Sequence, residues 1–131
     1  MKVLFVCFGN MFRSQMAEKF YNTMTGTNDA RSAGVKATLL PHASRRGEAV
    51  MQEIGMTLEG QYSKQLAPEM VEWADRIFLF SVEHVPLLLD NDTVENWNIE
   101  DLGFGKEGDT TELDRETMRS IRAKVKEFVT S

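Results

Sequence analysis

The chain has a single cysteine among its 131 residues, so it cannot form an internal disulfide bond. It has only two histidines, His42 and His84, and neither has a second ligand at metal-binding spacing, so we expect no metal site. No apolar run approaches the length that spans a bilayer, and Gly9 and Asn10 interrupt the first run too early for a signal peptide. We therefore expect a cytoplasmic protein.

Positive charge is in deficit as well. The 15 Lys and Arg residues against 20 Asp and Glu residues give a net charge of −5, which argues against nucleic acid or a membrane surface as the main partner. An anionic substrate stays compatible, because remote charges are screened within roughly 8–10 Å at physiological salt. A hydrophobic content of 42% and a charged content of 27% are typical of one globular domain, here residues 1–131.

One stretch combines the cysteine with an anion-binding pattern. Cys7 follows an apolar run, Lys2 to Val6, that predicts a strand, and a helical pattern begins at Ser14. A cysteine, five residues and an arginine allow a tight loop to surround a tetrahedral oxyanion with backbone N–H groups near a helix N-terminus. Arg13 offers a planar fork for two of its oxygens. The residues expected to hold the anion are Phe8, Gly9, Asn10, Met11, Phe12, Arg13 and Ser14.

The segment VCFGNMFRSQMAE resembles the phosphate-binding loop of the low-molecular-weight protein tyrosine phosphatases and of the arsenate reductases that share their fold. The resemblance implies that Cys7 is the nucleophile and that Arg13 binds the phosphoryl group. A lone thiol beside an arginine is itself typical of a nucleophile. A structural cysteine at a strand end is the alternative, but it leaves Gly9, Asn10 and Ser14 without an explanation.

The resemblance implies two supports for this loop. Ser32, in the segment Ser-Ala-Gly, stands where the family's serine hydrogen-bonds the asparagine of the loop, which is Asn10 here. Gln61 occupies the place of a histidine that many members have near that asparagine. Phe12 replaces a second cysteine found in many members, so Cys7 has no partner for an intramolecular disulfide.

The resemblance also supplies a candidate proton donor. Displacing an alkoxide or a phenolate from phosphorus requires an acid on the side opposite the nucleophile. The family uses the aspartate of an Asp-Pro pair, and Asp101 stands at that place. Leu102 replaces the proline, and the aromatic residues that usually follow are absent, so Glu100 is kept as a rival acid. No cofactor is implied.

Apolar spacing predicts the remaining elements. Helices are predicted over residues 14–25, from 41 to 55, after Pro68, over 81–89 and in a closing segment of about five turns, and strands over 30–34, 76–80 and 94–99. Trp97 is expected to pack inward, and Arg45 and Arg46 fall on the polar side of their helix, where exposure to solvent is preferred over guidance of a substrate. Strands alternating with helices predict an α/β fold, a parallel sheet with helices on both faces. The resemblance implies the strand order 2-1-3-4, with the strand that ends at Cys7 in the centre.

Three functions are weighed. The first is a cysteine-dependent phosphomonoesterase with Cys7, Arg13 and Asp101 as its catalytic residues, acting on a phosphorylated protein or a small phosphoester. The second is arsenate reduction with an external thiol, which the lack of further cysteines disfavours. The third is a cysteine phosphocarrier or a phosphate-binding regulatory domain, which Arg13 disfavours. Phosphotyrosine, phosphoarginine and small esters stay open as substrates, and so does the oligomeric state, with a monomer as one alternative.

Overall fold

A four-stranded parallel sheet organises the chain. In the computed structural model, which describes residues 1–131, the strands are β1 (Val3–Cys7), β2 (Ala30–Gly34), β3 (Arg76–Leu79) and β4 (Val94–Asn96). Their order is β2-β1-β3-β4, and every neighbouring pair is parallel. The predicted α/β fold and strand order are confirmed. Cys7 therefore ends a central strand at the carboxyl edge of the sheet, where α/β folds bind ligands.

Helices cover both faces of this sheet. They are α1 (Arg13–Thr25), α2 (Arg45–Gln52), α3 (Pro68–Trp73) and α4 (Thr111–Thr130). The first, second and fourth contribute to one hydrophobic cluster, whereas α3 packs against the other. None of the helices is both long and apolar enough to cross a bilayer.

The core is divided by β1, whose five residues are all buried. Successive side chains of a strand point to opposite faces, so Phe5 joins the cluster beneath α1 and α4, and Leu4 joins the other cluster. Trp97 packs inward as predicted and stacks on Phe78 with ring centroids 4.1 Å apart. Burial on both faces explains why the first and third strands are almost continuously apolar.

The helix predicted over residues 81–89 is wrong, because only a single 3-10 turn forms there, Pro86–Leu88. A residue before proline is disfavoured in the α region, and Val85 is extended, with φ −92° and ψ 106°. Ser81 and His84 both have a φ of 54°, in the left-handed region. The backbone before Pro86 therefore cannot continue a helix.

Several boundaries also differ from the prediction, and α2 ends at Gln52 rather than at Gly55. Helix α2 begins at Arg45, because the Ser44 side chain accepts a hydrogen bond from the Gly47 N–H and ends the preceding loop. Strand β4 ends at Asn96 rather than at Ile99, since Asn98 has a φ of 36° and leaves the extended conformation.

Candidate active site

A cleft of about 510 Å³ opens at the carboxyl end of β1. Cys7 and most of the following loop line it, together with residues of α2 and of the segment after β4. We call residues 8–14 the phosphate loop. Within it, Phe8, Gly9, Met11, Phe12 and Arg13 line the cleft, whereas Asn10 and Ser14 are fully buried behind it. The loop thus has an exposed side and a buried, supporting side.

The Cys7 thiol lies among hydrogen-bond donors. Its Sγ is 2.9 Å from the Ser14 hydroxyl oxygen and accepts a 3.3 Å hydrogen bond from the backbone N–H of Asn10. The Asn10 side chain donates to the same hydroxyl oxygen at 2.7 Å, so the hydrogen of Ser14 is available to the sulfur. Helix α1 starts at Arg13 and adds its positive end. These groups surround the sulfur with hydrogen-bond donors and the positive end of a helix.

Asn10 holds the phosphate loop in its shape. Its φ of 54° lies in the left-handed region, which asparagine tolerates better than most residues. Its side-chain oxygen accepts the backbone N–H of Lys64 at 2.8 Å, and its backbone oxygen accepts the Gln15 amide at 3.0 Å. These hydrogen bonds brace the loop from behind.

Gln15 is a supporting residue that the sequence interpretation missed. It is fully buried, and its amide also donates to the Tyr62 carbonyl at 2.7 Å. Gln61 donates to the Gln15 side chain at 2.7 Å, so its link to Asn10 runs through Gln15. No sequence signal marks it, because Gln15 lies outside the apolar stripe formed by Met16, Ala17 and Phe20.

The expected hydrogen bond between Ser32 and Asn10 is wrong. The Ser32 hydroxyl donates to Glu18 at 2.7 Å and accepts from the Lys64 ammonium at 3.4 Å. The side chain of Asn10 is already occupied by Ser14, Gln15 and the Lys64 backbone. Ser32 therefore supports the phosphate loop only indirectly, through Lys64.

Glu18 and Lys64 form a partly buried ion pair beneath the loop, 3.9 Å apart. Burial raises the pKa of Glu18, against the opposing effects of the Ser32 hydrogen bond and the Lys64 charge. Burial lowers the pKa of Lys64, while the charges of Glu18 and Cys7 act to raise it. The pair is tied to the phosphate loop through Lys64, whose backbone N–H donates to the Asn10 side chain at 2.8 Å.

Arg13 is held at the rim of the cleft by the backbone of neighbouring segments. Its Nη1 donates to the carbonyl oxygens of Phe80 at 2.9 Å and Ile99 at 3.0 Å. No hydrogen bond within the chain engages its Nη2 or Nε. These N–H groups remain available to two oxygens of an anion in the cleft.

Asp101 lies in the same cleft, in an ion pair that the sequence interpretation did not foresee. Its two carboxylate oxygens accept from Arg46 at 3.3 and 2.9 Å. Arg46 also pairs with the buried Asp114, so the assignment of Arg46 to a solvent-exposed face is wrong. Burial acts to lower the pKa of Arg46, but hydrogen bonds and charges from both aspartates raise it above its ordinary value. Glu100 also lines the cleft, is exposed and makes no hydrogen bond through its side chain.

Two exposed aromatic side chains stand at the opening of the cleft. Phe8 is 54% exposed and Phe104 is 76% exposed, and both line the opening. Phe104 follows Asp101 by three residues and supplies an aromatic wall, although the aromatic residues of the family pattern are absent. No group of three or more His, Cys, Asp or Glu side chains is arranged to hold a metal ion.

A family comparison covers nearly the whole chain. The model of the family described as low molecular weight phosphotyrosine protein phosphatase matches residues 2–130. The glutaredoxin arsenate reductase of Synechocystis sp. is 30% identical over 132 residues, which span 98% of this chain and 92% of that protein.

Phosphatases are among the similar proteins as well. The probable low molecular weight protein-tyrosine-phosphatase AmsI of Erwinia amylovora is 29% identical over 86 residues, 66% of this chain. That alignment spans 60% of the Erwinia protein. The crystal structure of the low molecular weight protein tyrosine phosphatase from T. tengcongensis superposes with a TM-score of 0.79 at 27% identity, covering 99% of this chain and 98% of that one.

Proposed function

The chain belongs to the low molecular weight phosphotyrosine protein phosphatase family, and we propose that it is a phosphomonoesterase that works through a phosphocysteine. The observation that carries this proposal is the shared cleft of Cys7, Arg13 and Asp101, a nucleophile, an anion-binding fork and a carboxyl group. These are the three groups that hydrolysis of a phosphoester by a thiol requires.

The first step transfers the phosphoryl group to sulfur. The Cys7 thiolate attacks phosphorus, the S–P bond forms and the bond from phosphorus to the ester oxygen breaks. Arg13 and the backbone N–H groups of the phosphate loop stabilise the negative charge on the transferring oxygens. Asp101 gives a proton to the leaving oxygen from Oδ1, the oxygen that Arg46 holds more loosely, at 3.3 Å, so the alcohol or phenol departs neutral.

The second step returns the enzyme to its starting state. The Asp101 carboxylate takes a proton from a water molecule, whose oxygen attacks phosphorus. The S–P bond breaks, inorganic phosphate forms, and its departure leaves Cys7 as a thiolate. Ser14 and the Asn10 N–H stabilise that thiolate as the leaving group, since both lie within hydrogen-bond distance of Sγ.

An aryl phosphate is the substrate class that the walls support best. Phe8 and Phe104 are both largely exposed at the cleft, where a phenyl ring can stack against them. Phosphoserine would bring the phosphoryl group to the loop on a short side chain and would bury neither aromatic ring.

The decisive experiment is hydrolysis of p-nitrophenyl phosphate in the presence of a chelator. We expect turnover by the wild-type protein and none by Cys7→Ser, because a serine hydroxyl is far less ionised than the thiol. Glu100→Gln is the matched control for Asp101→Asn, since both carboxylates line the same cleft. Activity in Cys7→Ser, or an equal loss in the two carboxylate variants with phenyl phosphate, contradicts the proposed roles.

Arsenate reduction is the second candidate, supported by the 30% identical Synechocystis protein that is named an arsenate reductase. Cys7 is the only thiol, so an external thiol would have to supply the electrons. Arsenate-dependent oxidation of glutathione by the wild-type protein, with no turnover of aryl phosphates, would favour this activity over the first.

A further inference from the structure

Arg46 is the one strongly held cation of the cleft to which the proposed reaction assigns no task. It belongs to α2, yet it binds Asp101 in the segment after β4 and Asp114 in the first turn of α4. We propose that Arg46 is a positioning residue of the phosphatase reaction, which holds the Asp101 carboxyl group over the phosphate loop. This inference rests on the proposed function.

The segment that carries Asp101 has little stiffness of its own. Leu102 stands where a proline would restrict the backbone, and glycines follow at positions 103 and 105. Gly105 has a φ of 73°, in the left-handed region. A hydrogen bond from the Leu102 N–H to the Thr117 hydroxyl, at 3.2 Å, anchors the backbone to α4. The direction of the Asp101 side chain therefore depends on side-chain contacts, of which the two from Arg46 are the hydrogen bonds found.

Arg46 is itself fixed relative to Cys7. Its guanidinium carbon lies 4.6 Å from the centre of the Phe12 ring, and Phe12 is a buried residue of the phosphate loop. Asp114 is only 3% exposed through its side chain, and it also accepts a hydrogen bond from the Thr110 hydroxyl at 2.7 Å. The position of Asp101 is thus tied to the phosphate loop through Phe12 and Arg46.

The backbone around Asp101 is shaped to admit this pair. A Cβ atom added at Gly103 would lie 2.9 Å from Nη1 of Arg46 and would overlap the Asp114 carboxylate. A side chain at this position would have to displace the ion pair. Direct binding of substrate by Arg46 is the less suitable task, because both of its Nη groups are already bound to aspartates.

The test compares two leaving groups. Phenolate is a strong base and needs a proton from the enzyme, whereas p-nitrophenolate is a weak base and needs little help. We expect Arg46→Gln to lower kcat/KM for phenyl phosphate by about 10- to 100-fold. This loss is part of the rate acceleration of about 10²- to 10⁴-fold that a general acid contributes. For p-nitrophenyl phosphate we expect a loss below about threefold, since proton donation adds little there. Arg46→Lys should recover only part of the loss, because an ammonium group cannot hold both carboxylate oxygens.

Three further variants separate positioning from folding. Arg45→Gln is the matched control, an exposed arginine on the same helix, and should leave both substrates unaffected. Asp114→Asn removes one anchor of Arg46 but spares the hydrogen bonds to Asp101, so it should lower stability and show a smaller leaving-group dependence than Arg46→Gln. Arg46→Gln combined with Asp101→Asn should lose no more than Asp101→Asn alone, since residues that act as a unit are not additive.

Each outcome decides between the ideas. Equal losses with the two leaving groups in Arg46→Gln, the same leaving-group dependence in Asp114→Asn, or full additivity with Asp101→Asn overturns the positioning role. Any of these results leaves the proposed function standing as long as Cys7→Ser is inactive and Asp101→Asn is sensitive to the leaving group. A wild-type protein without phosphatase activity instead removes the proposed function itself.

Discussion

At the residue scale, the properties of Cys7 come from two neighbours in its own loop. The Ser14 hydroxyl and the Asn10 N–H lie 2.9 and 3.3 Å from Sγ, and both are buried where water cannot replace them. The sequence pattern predicts that both residues belong to the anion-binding loop. It does not predict Gln15, since a buried amide is indistinguishable from an exposed one in a helix whose apolar stripe is already complete.

Replacing the hydroxyl should slow the reaction of the thiol. A hydrogen bond to a charged group contributes about 1.5–3 kcal/mol, so Ser14→Ala should lower kcat/KM by about tenfold or more. The rate of Cys7 alkylation by iodoacetate at pH 7 should fall in parallel. Ser120→Ala, an exposed serine on α4, serves as the control. Alkylation at the wild-type rate would argue against a thiolate held by Ser14.

The ion pair beneath the loop gives a pH dependence of stability. Burial raises the pKa of Glu18, so the folded protein keeps that proton to a higher pH than the unfolded chain does. Glu18 therefore contributes most to stability below its unfolded pKa of 4.5 and loses this contribution as pH rises through the folded value. Glu18→Gln has no titratable group at this position, so its stability should not show this decrease with rising pH.

Urea unfolding of both proteins at a series of pH values measures the effect. We expect the free energy of unfolding of the wild-type protein to fall relative to that of Glu18→Gln as pH rises above 4.5. A difference that stays constant with pH, or one that changes in favour of Glu18, would contradict a raised pKa.

At the element scale, the carboxyl ends of β1 and β2 set the shape of the phosphate loop. Gly34 ends β2 and pairs with Cys7 in the register of the two strands. A Cβ atom at Gly34 would lie 2.8 Å from the Phe8 oxygen and 2.9 Å from the Asn10 nitrogen. The loop backbone therefore packs directly on this strand end, which leaves no room for a methyl group.

Gly34→Ala should damage the site more than the fold. The new methyl group has to displace the backbone of the phosphate loop, and small shifts of catalytic groups are expensive, so we expect kcat/KM to fall by about 100-fold or more. Ala33→Gly on the same strand is the control, since it weakens β2 without adding atoms beside the loop. Binding of vanadate, measured by inhibition, should weaken in Gly34→Ala alone. Unchanged inhibition of Gly34→Ala by vanadate would show that the phosphate loop accommodates the methyl group without losing its anion-binding shape, and would contradict this prediction.

The elements that carry a strong local pattern were predictable, and those controlled by single backbone angles were not. Strand β2 and helix α1 agree with the prediction almost to the residue because apolar periodicity and turn residues delimit them. The segment over 81–89 was misjudged because its composition suits a helix, whereas Pro86 and the positive φ of Ser81 and His84 exclude one. The partners of Arg46 could not be predicted either, because Asp101 and Asp114 lie 55 and 68 residues away from it in the chain.

At the scale of the whole molecule, α4 closes the chain over the sheet and α1. Ile121 is fully buried in the larger hydrophobic cluster, beside Met118 and Val125 on the same helix face. This closing helix also carries Thr117, which binds the backbone beside Asp101, and Asp114, which pairs with the arginine that holds Asp101. Helix α4 therefore contributes both to the stability of the fold and to the placement of the Asp101 carboxyl group.

Shortening a core side chain of α4 should lower stability by a measurable amount. Ile121→Ala removes three buried carbon atoms and leaves a cavity, for which we expect a loss of about 2–5 kcal/mol in the free energy of unfolding. The buried Trp97 offers a fluorescence signal for denaturant unfolding. Lys126→Ala, exposed on the same helix, should change stability by less than about 0.5 kcal/mol. A similar midpoint for both variants would contradict the packing.

The two faces of the sheet are covered unequally, which determines where the molecule opens first. Three helices cover one face, but the other has only the six-residue α3 and the 3-10 turn around Pro86. Amide exchange should accordingly be fastest over residues 81–93 and slowest in β1. The segment 81–93, on the less covered face, begins directly after Phe80, and the Phe80 carbonyl oxygen accepts a hydrogen bond from Arg13. Local opening there would loosen the anion-binding arginine while the nucleophile stays embedded in the most protected strand.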